Sequence, residues 1–139
     1  MAQNEKLTIT LTGRAPVKIT KDEWPVVASA DDSWHDGEVE CQANRTKSWK
    51  LIVRQHADGR TLVYGIYASM SHWQGESSEN VRGGEMFTVE GATADEVGDT
   101  APIIAAIFRV AEDLSTRSGQ EEFHRLSHEC VAYLPAVEV

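Results

Sequence analysis

The chain has 139 residues, the length of a single domain over residues 1–139. With 41% hydrophobic and 25% charged residues it can build a core without a metal or disulfide staple, and collagen, coiled-coil, disulfide-scaffold and wholly disordered classes are excluded. Its 13 basic and 22 acidic residues leave a formal charge of −9, which argues against nonspecific binding to a phosphate backbone. The charge is unevenly spread: residues 45–82 carry six bases and three acids, whereas residues 83–139 carry three bases and 11 acids. No run of 18 apolar residues occurs, and the polar start Met1-Ala-Gln-Asn-Glu-Lys has no signal-peptide core, so a cytoplasmic protein is expected. Cys41 and Cys130 lie far apart, form no CxxC, and read as free thiols.

In chain order, Leu7, Ile9 and Leu11 alternate with Thr8, Thr10 and Thr12, a period of two that predicts a strand ending at Gly13. Thr20-Lys-Asp-Glu23 has capping-box spacing and predicts a short helix over about Lys21–Ala28, with Pro25 in its first turn. Ala30 to Lys47 is polar and aperiodic and predicts a long surface loop, with Trp34 and His35 set among Asp31, Asp32 and Asp36. Ser48–Gln55 and Thr61–Ala68 read as two strands joined at Asp58-Gly59, a dipeptide suited to the positive φ of a hairpin turn. Trp49, Leu51 and Val53 would share one face of the first, and Lys50, Ile52 and Arg54 the other.

Residues 69–84 predict a second polar loop with His72 and Trp73, closed by Gly83-Gly84 as a tight turn into a short strand at Glu85–Glu90. Thr93–Glu96 has capping-box spacing for one further helical turn. Asp99 or Thr100 caps the next helix, with Pro102 in its first turn and Ile103, Ile107, Val110 and Leu114 on one face. Ser118-Gly-Gln-Glu121 is expected to cap a last helix whose stripe is Phe123, Leu126, Cys130 and Leu134. The sum is an α+β fold of order β-α-β-β-β-α-α: a three- to four-stranded, mainly antiparallel sheet with two C-terminal helices packed on one face.

Three kinds of chemistry compete for this chain, and no catalytic residue is assigned. Tryptophan is costly to leave in a polar loop unless it tucks onto the core or anchors a partner. The partner-binding candidates are therefore Trp34, Asp31, Asp32, Asp36 and Trp73, and the acidic surroundings point to a protein partner with a basic surface. This gives a small, acidic, non-enzymatic binding protein, in its specific form an inhibitor or regulator of a nucleic-acid-handling protein. A strand edge or the C-terminal helices could equally make a homodimer.

The alternative is a metal-binding protein or enzyme using His124 and His128, which sit at i, i+4 on one helix face. Arg125 stands where zinc helices of the HExxH pattern carry glutamate, and a third ligand would have to come from His35, His56 or His72. No cofactor is implied. The third reading is single-stranded nucleic acid held by Lys50, Arg54 and Arg60 with aromatic residues nearby, although bulk acidity weighs against it. Ser71-His72 and His56 with Asp58 are too close in sequence to form a nucleophile–base pair readily, and Gly83-Gly84 lacks the context of a phosphate loop.

Overall fold

The computed structural model describes residues 5–36, 45–71, 78–89 and 100–135. Two short strands pair as a small antiparallel hairpin: β1 (Lys6–Ile9), which stops short of the end expected at Gly13, and β2 (Val17–Thr20), which is absent from the expected element order. Four long strands follow: β3 (Val26–Asp36), β4 (Arg45–Gln55), β5 (Arg60–Ser71) and β6 (Ser78–Thr88). They form one antiparallel sheet in sequence order, so β3 and β6 are its edges. Helices α1 (Ala101–Ser118) and α2 (Glu122–Ala132) pack on one face, α1 over β5 and β6, α2 over β3 and β4. The fold is α+β, with both C-terminal helices on one side of an antiparallel sheet.

Alternation along the strands builds two cores, one on each face. Trp49, Leu51, Val53, Val63 and Tyr67 point to the helices and meet Ile103, Ile107, Val110, Leu114, Phe123, Leu126 and Cys130. Leu62 and Tyr64 point the other way, under Ile9, Leu11, Ile19 and Trp24 of the hairpin layer. Gly65 lies beneath α1 because a Cβ there would stand 2.5 Å from Leu114 Cδ1 and 2.6 Å from the Lys50 carbonyl oxygen. The Asp58-Gly59 turn forms as its sequence requires, with Gly59 at φ 91°. Gly119 closes α1 at φ 70°, its N–H donating to the Ser115 carbonyl at 2.8 Å.

Several local expectations are corrected. The helix expected over Lys21–Ala28 is a single 3-10 turn, Lys21–Glu23, and Thr20 makes no side-chain cap bond. The sheet takes the chain instead: the Gln55 N–H donates to the Pro25 carbonyl at 3.1 Å, and the β-branched Val26 and Val27 enter β3. The loop expected over Ala30–Lys47 contains most of β3 and the start of β4, residues 37–44 lying outside the described part. Ala28 and Ala30 face inward while Ser29, Asp31 and Ser33 face outward, so the buried side carries too little apolar bulk for its period to stand out.

The loop expected over residues 69–84 is likewise strand at both ends, and Gly83-Gly84 lies inside β6 rather than in a turn. A Cβ on Gly84 would stand 2.6 Å from both Tyr64 Cβ and the Val63 carbonyl; one on Gly83 would stand 2.7 Å from Thr12 Oγ1. The glycines admit close neighbours from two layers. The last helix starts after Glu121, and Ser118 serves the junction instead, its hydroxyl donating to the Leu114 carbonyl and accepting from the Gln120 N–H. The turn expected at Thr93–Glu96 lies outside the described residues.

Candidate functional site

The two sheet edges are finished differently. At β6 the chain after β1 folds over the edge. The Thr12 N–H donates to the Gly84 carbonyl at 2.9 Å, and Thr12 Oγ1 accepts from the Gly84 N–H at 3.1 Å. The same hydroxyl donates to Asp113 Oδ2 at 3.1 Å, and Arg117 of α1 donates to the Arg82 carbonyl at 2.8 Å. Arg117 also holds the Asp113 carboxyl below its ordinary value of 3.8, with a smaller contribution from Thr12. Arg109 and Glu85 add a two-pronged pair between α1 and β6 at 2.8 and 2.9 Å.

At β3 the outer edge has no strand partner among the described residues. The Ser33 N–H donates at 2.8 Å to the Asp32 carboxylate beside it. In an antiparallel ladder the outward main-chain groups belong to alternate residues, so Ser29 and Asp31 share that outward register. A groove of about 420 Å³ runs along this edge, lined by Val26 to Asp31 and walled by Glu129 and Tyr133 of the α2 end. Two large exposed apolar side chains line it, Val26 at 47% and Tyr133 at 63% exposure, whereas Trp34, 44% exposed, lines a separate hollow with Lys47, Ser69, Met70 and Glu79.

Four of the five partner-binding candidates thus lie on this one strand. Trp34 is on β3, with Lys47 Nζ 5.3 Å from its ring centroid. Asp31 and Asp32 point to opposite faces: Asp31 is exposed, whereas Asp32 is tied to Arg125 Nη2 at 2.6 Å. The Asp32 pair ties α2 to β3, and Arg125 also pairs with Glu122 and Glu129 within α2. Asp36 ends the strand, in register with Arg45. Trp73 lies outside the described residues.

The cationic candidates divide. Lys50 and Arg54 share the hairpin-side face, but Arg60, just beyond Arg54, does not line the cleft beside them and is paired with Asp58 at 2.8 Å and stacked 5.1 Å from the Trp24 ring. Lys21 and Arg82 take its place beside Lys50 and Arg54, lining a cleft of about 330 Å³ between β1 and the sheet. Neither stood out in the sequence, because Lys21 sits in the apparent capping box and Arg82 before the glycine pair. Trp49 and Tyr67 face the helices, and Tyr64 is buried with its hydroxyl accepting from Arg54 Nε at 3.0 Å.

His124 and His128 are on α2 as expected but turn to different neighbours. His128 meets the Phe108 ring edge-on at 5.3 Å. His124 Nε2 lies 3.3 Å from Ser115 Oγ and 3.6 Å from Glu112 Oε2. In a catalytic triad the acid and the hydroxyl engage opposite ring nitrogens, whereas here both approach the same one. Among the described residues no three His, Cys, Asp or Glu side chains gather closely enough to hold a metal ion. His56 serves its turn, with Nδ1 3.1 Å from the Asp58 backbone nitrogen. Burial pushes the Cys130 thiol up to about 12, which leaves it protonated and a poor nucleophile.

The site and fold together define a small α+β protein with one closed and one open sheet edge. No helix of the described residues is long and apolar enough to cross a membrane. No family model, curated protein or solved structure matches the chain.

Proposed function

We propose that this is a non-enzymatic binding protein that engages a protein partner along the open edge of β3. The outer edge of that eleven-residue strand, without a strand partner among the described residues, carries the reading. A row of unmatched main-chain donors and acceptors is a template for strand addition by an extended segment. Val26 and Tyr133 supply apolar contact beside the groove, and Trp34 is a large, stiff anchor of the kind that dominates interface energetics.

The partner segment is basic. Asp31 is exposed on the edge strand and forms no ion pair among the described residues, and the whole chain carries −9. These charges steer a cationic partner inward and repel acidic ones. Nucleic-acid-handling proteins present such surfaces, and an inhibitor or regulator of one, acting in the cytoplasm, is the specific form of this reading.

Ser29→Pro and Trp34→Ala test it. Proline removes one outward N–H from an edge strand at little structural cost. Proteins captured by the wild-type chain are identified, and the affinity of each purified candidate is measured with both variants and across ionic strength. The reading expects at least a roughly tenfold loss for each variant, together with weakening as salt rises. Equal affinity of the Ser29→Pro chain, or indifference to salt, overturns it. Light scattering separates the remaining case: a wild-type dimer that Ser29→Pro makes monomeric means that the added strand is a second copy of β3.

A further inference from the structure

The cleft on the hairpin side of the sheet is lined by four cations, Lys21, Lys50, Arg54 and Arg82, and by no carboxylate. Among the described residues, Arg60, Arg109, Arg117 and Arg125 each pair with a carboxylate, and Lys21 pairs with Glu5 at 3.2 Å. Lys50, Arg54 and Arg82, all lining this cleft, form no ion pair among the described residues; Lys6, Arg14, Lys18 and Lys47 form none either but do not line it. With 22 acids for 13 bases in the chain, a concavity lined by cations and no acid runs against the overall charge. Three unpaired cations around one concavity keep a local positive potential within a strongly negative protein, and low-dielectric walls focus it.

We propose that this cleft binds a small organic ligand bearing two or more linked phosphoryl groups. The spacing favours an extended polyanion over one tetrahedral oxyanion. Lys50 and Arg82 lie on β4 and β6, either side of Ile66 in the same register row, so their backbones are about 10 Å apart. Arg54 is four residues further along β4 on the same face, about 13 Å from Lys50. Long side chains from those three points converge on a chain of phosphates more readily than on a single group.

Arg54 is pre-oriented for the task. Its Nε–H donates to Tyr64 Oη at 3.0 Å and one Nη1–H to the Trp24 carbonyl at 3.0 Å, which fixes the guanidinium plane and leaves further N–H groups for an anion. Ile52 and Ile66 give the organic part an apolar floor. The volume, about 330 Å³, suits a mononucleotide-sized ligand rather than a polymer. A single strand would need exposed rings to stack on, and Tyr64, the one aromatic lining the cleft, is only 5% exposed. Neither Trp34 nor the β3 edge takes part, so this proposal and the partner reading fail separately.

The test is calorimetric titration of the full chain with pyrophosphate, ADP, inorganic phosphate and a short single-stranded oligonucleotide at low salt. Saturable one-to-one binding of pyrophosphate or ADP is expected, tighter than inorganic phosphate. The double variant Lys50→Ala/Arg82→Ala, altered at two exposed positions, should weaken it by at least roughly tenfold, whereas Lys18→Ala on β2 should not. Tyr64→Phe should weaken it less than the double variant, because it frees the Arg54 fork without removing charge. Absence of saturable binding by both diphosphates, equal affinity in the double variant, or binding of the oligonucleotide alone overturns the proposal. Circular dichroism on each variant confirms that a lost signal is not lost fold.

Discussion

The two edges of the sheet are built from strands of equal length, yet among the described residues only one is fastened across its outer backbone, at Arg82 and Gly84. β6 has Thr12 bridging its backbone, two α1 arginines fastening it, and a glycine pair that lets neighbours come close. β3 has a bulge at Val26/Ala28, exposed Asp31, and a groove instead of a partner. Charge and a bulge hinder indiscriminate pairing without closing the edge, which is how an edge stays soluble while remaining selective. The contrast teaches that one edge of a sheet can be fastened by a crossing segment and helix side chains while the opposite edge keeps a groove beside it.

If that division holds, substitutions beneath and along the sealed side should cost stability, and those on the open side should cost binding. The largest effect is expected for Leu114→Ala. Its buried side chain sits against Gly65 under β5, and truncation should lower unfolding free energy in urea by about 2–5 kcal/mol. Gly83→Ala comes next, at about 1–3 kcal/mol, because its new methyl meets Thr12 and Arg117 and must push the edge clasp apart. A stability unchanged by Gly83→Ala would mean that the clasp is not fastened.

Thr12→Val is expected to cost about 1 kcal/mol, losing the acceptor for the Gly84 N–H and the donor to Asp113, with faster amide exchange at Gly84 as its signature. Acid should act at the same point. The folded state holds the Asp113 carboxyl below 3.8, so its contribution is complete above that pH and is lost as pH falls through the lowered value. Wild type should therefore lose more stability between about pH 4 and pH 2 than Asp113→Asn does, as urea midpoints across that window would reveal. The smallest stability change, within about 0.5 kcal/mol, belongs to Trp34→Ala on the open strand, where the loss should be in partner affinity instead. A large destabilisation by Trp34→Ala would erase the distinction between the two edges.

Much of the candidate site was visible in the sequence under the wrong description. Trp34, Asp31, Asp32 and Asp36 stand out as an aromatic among acids, but as a loop; they are in fact consecutive parts of one strand. The period of that strand is faint because its buried side is Ala28 and Ala30, whose apolar surface is small. β6 is faint for a related reason, since Gly83 and Gly84 add nothing to an alternation and mimic a turn. Lys50 and Arg54 were legible as one face of a strand. Their true companion Arg82 was not, because it arrives from β6, two strands away in the sheet.

By itself the sequence determined the two amphipathic helices, the Asp58-Gly59 hairpin, the first short strand and the α+β class. Each rests on periodicity or turn chemistry within a dozen residues, which the chain carries wherever it folds. Tertiary structure alone decided that Val26 joins a strand instead of a helix, which edge Thr12 closes, and which cations are left without a carboxylate. Those outcomes depend on strand pairing and layer packing between residues far apart in the chain, and local pattern has no access to them.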